Sequence, residues 1–313
     1  MQSKKPLVSI LMNCFNGERF LHEALQSVLN QSYSNWELIF WDNKSTDSSK
    51  SILESFKDKR FKYFSANKKT SLGYARAEAY KFLSGEFITV LDVDDIWLSE
   101  KLECQLKLFS DPEVGIVISD TIFFNENSQR LLYGDKFPRE GYVFRDLLKN
   151  YNISLETIMI RKSFVSKLDI KGFDQDFSYI ADYDLILRVT KISKLMVCKK
   201  VLAKWRVHES SDTWKSLISF PLEKENWIKK QSIADQNFRI EYSSELTQLN
   251  DRNYILIAFY KIAASDKVSA IKFLSKIVRF NRYKLGLWLL ILIPYSKLIV
   301  RVIIKRRLKR LLK

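Results

Sequence analysis

The chain has 313 residues, 46% of them hydrophobic, which is enough for one large globular domain or for one domain with an appendage. The formal net charge is +16, but ten Lys or Arg residues and no Asp or Glu lie from Asn281 to the end, so the residues before them carry only +6. Because the positive charge belongs mainly to this tail, it argues against a nucleic-acid-binding domain, which needs a basic folded face.

The cysteines and the N-terminus indicate the compartment. Cys14, Cys104 and Cys198 are far apart, lack the spacing of metal ligands and are odd in number, which argues against a disulfide framework. We therefore expect reduced thiols in a cytosolic protein. The first residues also lack the apolar segment and the cleavage site of a signal peptide.

Strand and helix patterns alternate over the first hundred residues. Apolar runs predict strands at residues 7–12, 36–41, 61–64 and 87–91. Between these runs, apolar residues at helical spacing predict three helices, the last of them over residues 73–83. This alternation predicts an α/β fold with right-handed crossovers and a mostly parallel central sheet flanked by helices.

Polar clusters follow three of these strands, at residues 13–16, 42–43 and 92–95. Ligands of open α/β sheets bind beyond the carboxyl ends of the strands, so we expect the clusters to converge in one nucleotide-binding crevice. The third cluster contains Asp92, Asp94 and Asp95. Like charges this close usually need a cation, and hard carboxylate oxygens suit Mg²⁺ or Mn²⁺. Taken alone, such a cluster is more typical of a solvated Asp-rich turn, and the two other polar clusters at strand ends favour the metal site.

The pattern is less regular after Trp97. It predicts one helix from the end of the Trp97 segment to about residue 109 and another over residues 180–189. It also predicts strands at residues 114–119, 158–161 and 196–198. Residues 120–152 are expected to form loops and short strands. Beyond about residue 215, helical patterns replace strand patterns.

The C-terminal tail combines apolar and basic residues. Residues 285–304 are almost wholly apolar, but Pro294, Ser296, Lys297 and Arg301 interrupt them, and the uninterrupted run of residues 285–293 is too short for a bilayer of about 30 Å. We therefore expect an interfacial helix, with residues 305–310 as a polybasic anchor on an anionic membrane surface. A tilted membrane span and a soluble oligomerisation helix are the alternatives.

Five motifs, in this order along about residues 6–212, resemble those of the inverting family 2 glycosyltransferases, which have a GT-A fold and use nucleotide-activated sugars. The first two lie at residues 8–16 and 25–47, and the third is the Asp-x-Asp block at residues 85–105. The fourth lies at residues 171–188, and the closing Arg-x-His-x-x-Ser element ends at Ser211. The order of the five motifs is more specific than any one of them.

The resemblance implies roles on the nucleotide side. Asp42 is expected to hydrogen-bond the nucleobase, and Asn13 and Phe15 are expected to line the same pocket, with a place in the core as the alternative for Phe15. Arg76 is expected to bind the diphosphate, because a guanidinium suits phosphate oxygens. The family often has Asn after this Arg, but this chain has Ala77.

The resemblance also implies a metal and diphosphate side. Asp92, Asp94 and Asp95 are expected to bind the metal, Mn²⁺ or Mg²⁺, and the ribose, with Asp94 and Asp95 nearest to the metal. Arg206 and His208 are expected to contact the diphosphate or the metal. A single His is also often structural.

Asp182 is the expected general base, which takes a proton from the acceptor hydroxyl as the new bond forms. Asp184, two residues further along the same predicted helix, should point elsewhere. The family often has Glu before this Asp, whereas this chain has Ala181. Asp184 and Glu156 are the alternative bases.

The predicted function is therefore an inverting glycosyltransferase. It would move a sugar from a nucleotide-sugar donor, expected to be UDP-linked, to a glycan or lipid-linked oligosaccharide at the cytoplasmic face of the membrane. The predicted domains are a transferase domain at 1–215, a helical extension at 216–280 and a membrane-associating tail at 281–313. A catalytically silent GT-A-like nucleotide-binding module and a basic nucleic-acid-binding protein are the alternatives.

Overall fold

The structure is a computed structural model that describes residues 5–208, 217–279, 282–293, 298–300 and 302. It divides into two compact units. The first comprises the described residues of Met1–Phe144 and Asn152–Arg206, and the second those of Arg145–Tyr151 and Val207–Lys313. The second unit thus includes a short segment from the middle of the predicted transferase domain.

The first unit is built on a sheet. Its described strands are β1 Val8–Cys14, β2 Trp36–Asp42, β3 Phe61–Ser65, β4 Phe87–Val90, β5 Ile96–Trp97, β6 Val114–Phe124, β7 Gln129–Leu131, β8 Met159–Arg161 and β9 Lys194–Arg206. The α-helices from the N-terminus to β9 are α1 Glu18–Leu29, α2 Ser49–Ser55, α3 Leu72–Tyr80, α4 Lys101–Leu106, α5 Phe144–Lys149, α6 Lys162–Val165 and α7 Ala181–Thr190. Short 3-10 turns lie at Lys107–Ser110 and Leu155–Thr157.

The sheet has the strand order β3-β2-β1-β4-β8-β6-β9-β5, with β7 paired to β6. The prediction of parallel strands is correct for β3, β2, β1 and β4. Beyond β4 the sheet is mixed, so the prediction of a mostly parallel sheet is only partly correct: β6 pairs in parallel with β9, but β8 runs antiparallel to both β4 and β6, and β5 and β7 are antiparallel to their partners. The strand–helix alternation that enforces parallel crossovers ends after β4, so the sheet becomes mixed.

The first strands are hydrophobic because both faces of the sheet are covered. Every residue of β1, β2 and β4 is buried, as expected for strands between two layers of helices. Helix α1 buries Leu21, Leu25 and Val28 on one face, which is the periodicity seen in the sequence. The carboxyl ends of β1 and β2 are in register, with Cys14 opposite Asp42.

The last strand of the sheet is much longer than predicted. The sequence indicated residues 196–198, but β9 runs over Lys194–Arg206 beside an equally extended β6. Between the pairs Ser119–Cys198 and Asp120–Val201 the register shifts, and Lys199 and Lys200 have no opposite residue. Two polar residues in such a bulge interrupt the apolar pattern, so the sequence indicated only a fragment of the strand.

The second unit is helical in its described C-terminal part. Its helices there are α8 Ser219–Ala234, α9 Phe238–Glu241, α10 Ser243–Ala263, α11 Lys267–Ser275 and α12 Arg282–Leu292. Buried residues of α10, α11 and α12 form its core, including Ile262, Leu274, Leu287 and Ile291. Within the ranges given above, no helix combines the length and the apolar character needed to cross a bilayer.

Several features of the predicted tail lie outside the described residues. They are Pro294, Ser296, Lys297, Arg301 and residues 305–310, and Ser211 of the closing motif also lies outside the described residues.

Candidate active site

Residues 92–95, which follow β4 and which we call the acidic loop, contain three aspartates that differ in their surroundings. Asp95 is 2% exposed, and its Oδ1 accepts a hydrogen bond from the backbone N–H of Arg206 at 2.9 Å. Desolvation, and then the charges of Asp94 and Glu156, hold the pKa of Asp95 well above its usual range. Asp94 is half-buried, and its backbone carbonyl accepts from the Arg206 Nε at 2.9 Å.

Arg206 therefore holds the acidic loop by two hydrogen bonds. Its guanidinium also bonds to Glu23 and lies over the rings of Phe20 and Phe124, at 4.5 and 4.6 Å from their centroids. The diphosphate contact expected for Arg206 stays a prediction. His208 is half-buried and follows β9 in the second unit, and its expected role also stays a prediction.

Arg76 and Asp92, both predicted for the donor site, form an ion pair. The Arg76 Nη2 lies 3.0 Å from Oδ1 and 3.2 Å from Oδ2 of Asp92. Arg76 is buried on α3, and its Nε has no hydrogen-bond partner among the described residues. The Asp92 side chain is 35% exposed. Desolvation raises the pKa of Asp92, the Arg76 charge opposes this, and the charges of Asp94 and Asp182 reinforce it.

The two acids at the start of α7 have separate environments. Asp184 is fully buried and pairs with Arg188, with its Oδ2 at 2.5 Å from Nη2 and 2.9 Å from Nε. Arg188 also donates to the carbonyls of Ile170 and Gly172, at 2.7 and 2.8 Å, which fixes the turn before the helix. Asp182 is half-buried and close enough to the acidic loop for its charge to raise the pKa of Asp92. This arrangement favours Asp182 over Asp184 as a base.

Glu156 is a buried acid that the sequence indicated only as an alternative base. It is 2% exposed, and the Ser154 hydroxyl lies 2.8 and 2.7 Å from its two carboxylate oxygens. Desolvation raises the pKa of Glu156, and the charge of Asp92 adds to this effect. No sequence motif indicates Glu156, because its electrostatic effect on Asp95 depends on a loop that lies about sixty residues earlier in the chain.

Asp42 and Asn13 lie at the carboxyl ends of β2 and β1. Both oxygens of the buried Asp42 are engaged: Oδ1 accepts from the N–H of Ser45 at 2.7 Å and Oδ2 from the hydroxyl of Tyr63 at 2.8 Å. The Asn13 side chain is only 7% exposed, yet neither its amide nitrogen nor its amide oxygen has a hydrogen-bond partner among the described residues. Buried polar groups are normally paired, so this amide is suited to a bound ligand.

Phe15 follows β1 and is 40% exposed. The alternative of a core position for Phe15 is therefore wrong, because a ring this exposed does not contribute to a packed interior. The Nζ of Lys69 lies 3.5 Å from its ring centroid, a cation–π contact. Whether Phe15 lines a nucleotide pocket stays a prediction.

The loops after β1 and β2 are fixed to each other. The backbone N–H of Asn16 donates to the Ser45 hydroxyl at 3.0 Å, and the N–H of Thr46 donates to the Asn16 Oδ1 at 2.8 Å. Asn16 has a φ of 54°, the left-handed conformation that Asn tolerates better than most residues. The two polar clusters that the sequence placed at strand ends are thus brought together.

The donor set of the acidic loop can be compared with the needs of a divalent ion. In the described part of the chain, no group of three or more His, Cys, Asp or Glu side chains is arranged to hold a metal ion. Mg²⁺, however, is usually held by one or two carboxylates together with substrate phosphates. The close carboxylates of the acidic loop, with raised pKa values for Asp92 and Asp95, fit that type of site.

Comparison with known proteins identifies the family. The model of Glycosyl transferase family 2 matches residues 9–168. The Escherichia coli UDP-Glc:alpha-D-GlcNAc-diphosphoundecaprenol beta-1,3-glucosyltransferase WfgD is 30% identical over 207 residues, which cover 66% of this chain and 79% of that protein. The chain therefore belongs to glycosyl transferase family 2 and is a glycosyltransferase, as its motifs predicted.

Other relatives extend the comparison. The putative teichuronic acid biosynthesis glycosyltransferase TuaG of Bacillus subtilis is 26% identical over 257 residues, covering 74% of this chain and all of that protein. The mannosyltransferase PcManGT of Pyrobaculum calidifontis, solved with GDP-Man and Mn²⁺, has a TM-score of 0.61 at 15% identity and covers 99% of this chain and 86% of its own. TarS of S. aureus, solved with UDP, has a TM-score of 0.57 at 17% identity, and the match covers 84% of this chain and 88% of the TarS chain. These structures support a GT-A-like fold.

Proposed function

We propose that this glycosyltransferase is an inverting enzyme that transfers a sugar from a nucleotide-sugar donor to a hydroxyl of a glycan or lipid-linked acceptor, with Asp182 as general base. The observation that carries the proposal is the pair of environments on α7. Asp184 is committed to Arg188, whereas Asp182 is half-buried and within electrostatic reach of the acidic loop. An in-line displacement requires a base beside the acceptor hydroxyl, on the face of the anomeric carbon opposite the diphosphate, and we assign that role to Asp182.

In the proposed reaction the acceptor hydroxyl attacks the anomeric carbon from the side opposite the nucleoside diphosphate. The new carbon–oxygen bond forms as the bond to the diphosphate oxygen breaks, and Asp182 takes the hydroxyl proton. The departing diphosphate keeps the electron pair, and we propose that Arg76, which pairs with Asp92, neutralises part of the diphosphate charge. Inversion of the anomeric carbon follows from this single displacement.

A divalent ion would supply Lewis-acid neutralisation of the diphosphate. We propose Asp94 as its main ligand, because it is half-buried, with the diphosphate oxygens completing the coordination. Asp95 is the second proposed ligand, although one of its oxygens already accepts from Arg206. PcManGT was solved with Mn²⁺, so Mn²⁺ is the first ion to test.

The nucleotide side is proposed to consist of Asp42, Asn13 and Phe15. The unpaired amide of Asn13 offers an oxygen that can accept from the ring N–H of uracil and an NH₂ group that can donate to a uracil carbonyl. WfgD carries UDP-Glc in its name, and TarS was solved with UDP, so we propose that this chain uses a UDP-linked donor. The name of WfgD also contains a diphosphoundecaprenol acceptor, which supports a lipid-linked acceptor here.

We also propose peripheral attachment to the cytoplasmic face of an anionic membrane through the tail at 281–313. Helix α12 supports this, because it is apolar on two sides. Leu287 and Ile291 are buried in the second unit, whereas Leu289 and Leu292 are 54% and 77% exposed. A helix that is hydrophobic all round needs two apolar environments, and lipid is the proposed second one. The domain limits proposed from the sequence are 1–215, 216–280 and 281–313.

Release of nucleoside diphosphate from a panel of nucleotide sugars, with Mn²⁺ and with a chelator, tests the function. Asp94→Asn and Asp182→Asn are both expected to abolish transfer from the one donor that the native chain uses. Asp182→Asn should still bind the nucleoside diphosphate, because it removes only the base. Asp184→Asn is the matched control. It should keep transfer, because Asp184 is not the proposed base, but it should lower stability, since it leaves Arg188 without its buried partner.

The outcomes separate the possibilities. Full transfer by Asp182→Asn would move the base to Asp184 or Glu156. Metal-dependent nucleotide binding without release from any donor, with a panel of lipid-linked and glycan acceptors present, would identify a catalytically silent module instead.

A further inference from the structure

Three side chains that follow the acidic loop donate hydrogen bonds to three consecutive backbone carbonyls just before β8. The pairs are Trp97 with Glu156 at 3.0 Å, Gln105 with Thr157 at 2.6 Å and Lys101 with Ile158 at 3.2 Å. The chain that leaves the acidic loop is therefore fixed to the segment that carries the buried acid Glu156. Each bond joins residues more than fifty positions apart.

Lys101 makes two further bonds that concern the acidic loop directly. Its Nζ donates to Oγ1 of Thr89 at 3.1 Å and to Oε1 of Gln105 at 2.7 Å. Thr89 lies on β4, three residues before Asp92, and Lys101 lies six residues after Asp95. One side chain therefore joins the two ends of the loop that carries the three aspartates.

This lysine is unusual because its ammonium is completely buried. Lys101 is 0% exposed, and its three bonded acceptors are neutral oxygens. Its Nζ also lies 4.3 Å from the centroid of the Trp97 ring, a cation–π contact. Burial lowers the pKa of Lys101 to about 7, and the charge of Glu156 opposes that effect. An aliphatic residue would fill the same space without desolvating a charge, so packing alone does not explain a lysine at this position.

We propose that Lys101 is a positioning residue for the acidic loop. Its ammonium holds β4 and the start of α4 together across the base of the loop, and thereby sets where Asp92 and Asp94 stand relative to a donor diphosphate. What the loop binds rests on the proposed transferase function. The closure of the loop by Lys101 and Thr89 rests only on the hydrogen bonds described above.

Hydrogen exchange and nucleotide binding test this role together. Thr89→Val removes one hydroxyl and keeps Lys101, whereas Lys101→Met removes the ammonium at similar side-chain length. Both variants are expected to speed amide exchange in residues 91–97 about tenfold, because the loop loses the bond that closes it. Both should also weaken binding of UDP in the presence of Mn²⁺ about tenfold, measured by calorimetry well below the melting temperature.

Thr190→Val is the matched control, since it also removes a buried threonine hydroxyl, bonded to Ile186 and Leu187 within α7. It should leave exchange in residues 91–97 and UDP affinity unchanged. In the double variant of Thr89 and Lys101 the losses should be less than additive, because both changes break the shared Lys101–Thr89 bond, although Thr89→Val also removes the bond from the Thr89 hydroxyl to the Ile158 carbonyl at 2.6 Å.

Two results would overturn the proposal. One is a lower melting temperature in Lys101→Met and Thr89→Val with unchanged loop exchange and unchanged UDP affinity. The other is additive losses in the double variant. If Lys101→Met does not fold, Thr89→Val decides the matter by itself. If the native chain binds no UDP while loop exchange responds as expected, the proposal of a UDP-linked donor fails and the role of Lys101 in closing the loop stands.

Discussion

At the scale of single residues, Arg76 provides the first prediction. Its guanidinium compensates Asp92 through two hydrogen bonds from one nitrogen. Arg76→Met should weaken UDP–Mn²⁺ binding about tenfold or more, because a hydrogen-bonded charge pair is lost beside a desolvated carboxylate. Arg76→Lys should recover only part of the affinity, since an ammonium lacks the fork geometry of a guanidinium. Titration calorimetry measures both. Equal affinity in Arg76→Met and the native chain would contradict a role in the donor site.

Glu37 on β2 provides a prediction on pH. The Ser9 hydroxyl, the Ser84 backbone N–H and the Lys62 ammonium donate to its carboxylate at 2.5, 2.7 and 2.6 Å. Burial acts to raise the pKa of Glu37, but these bonds outweigh it and lower the pKa to about 2. The folded carboxylate therefore contributes its full stabilisation above pH 4.5 and loses it as the pH falls towards 2, a contribution of roughly 3 kcal/mol.

Urea unfolding of the native chain and of Glu37→Gln between pH 7 and pH 3 measures this contribution. The native chain should be more stable at pH 7, and the difference in the free energy of unfolding should shrink below pH 4.5. A difference that stays constant over this range would show that the effect of the substitution does not come from the charge of Glu37.

The sequence predicted which residues of the site carry charge, but not how they are paired. Arg76, Asp92 and Asp182 follow from motifs, because each occupies a fixed place in a family block. The pairing of Arg76 with Asp92 and the surroundings of Lys101 and Glu156 depend on segments far apart in the chain. Neither local spacing nor composition carries that information, since burial and partner are set by how the sheet closes.

At the scale of elements, the predictable part was the alternating region up to β4. There β1, β2 and β4 are buried on both faces and α1 buries the apolar face that its sequence indicates, so local pattern and tertiary role agree. The strand β8 was predicted but its antiparallel direction was not, and the bulged β9 was predicted too short, because their pairing depends on long-range register and not on a repeated pattern.

Helix α12 provides a prediction on lipid binding. Replacing Leu289 and Leu292 by Asp should release the full chain from vesicles that contain anionic lipid, because charges on the exposed face oppose burial in the interface. Ile192→Asp is the control, since it places the same charge on an exposed apolar residue of the first unit. Sedimentation with vesicles measures the bound fraction. Undiminished binding by the α12 variant would assign attachment to other parts of the chain.

At the scale of the whole molecule, the second unit is discontinuous in sequence. Arg145 of α5 donates to the carbonyl of Glu241 at 3.0 Å, and both Arg145 and Lys149 lie 3.4 Å from the carboxylate of Glu245. Arg252 donates to the carbonyl of Lys149 and to Asn150. A chain cut at residue 215 keeps α5 but loses all of these partners.

Such a shortened chain should therefore be less stable than its length suggests. We expect a melting temperature several degrees lower than that of the full chain and increased binding of an apolar dye, because α5 carries the buried Leu147 and Leu148. Scanning calorimetry and dye fluorescence measure the two effects. A monodisperse 1–215 chain with an unchanged melting temperature would establish that α5 is stable without the C-terminal helices.

The segment Arg145–Tyr151 is synthesised well before the C-terminal residues that it contacts. Arg145 leaves the ribosome 96 residues before Glu241, its hydrogen-bond acceptor. At about 5–20 residues per second, α5 waits roughly 5–20 s before the first of these partners has been made. During that interval β8 and β9 are synthesised, but the C-terminal partners of α5 are not yet available. Slowing translation over residues 152–240 would lengthen this exposed state, so codon usage in that stretch should influence the yield of folded enzyme.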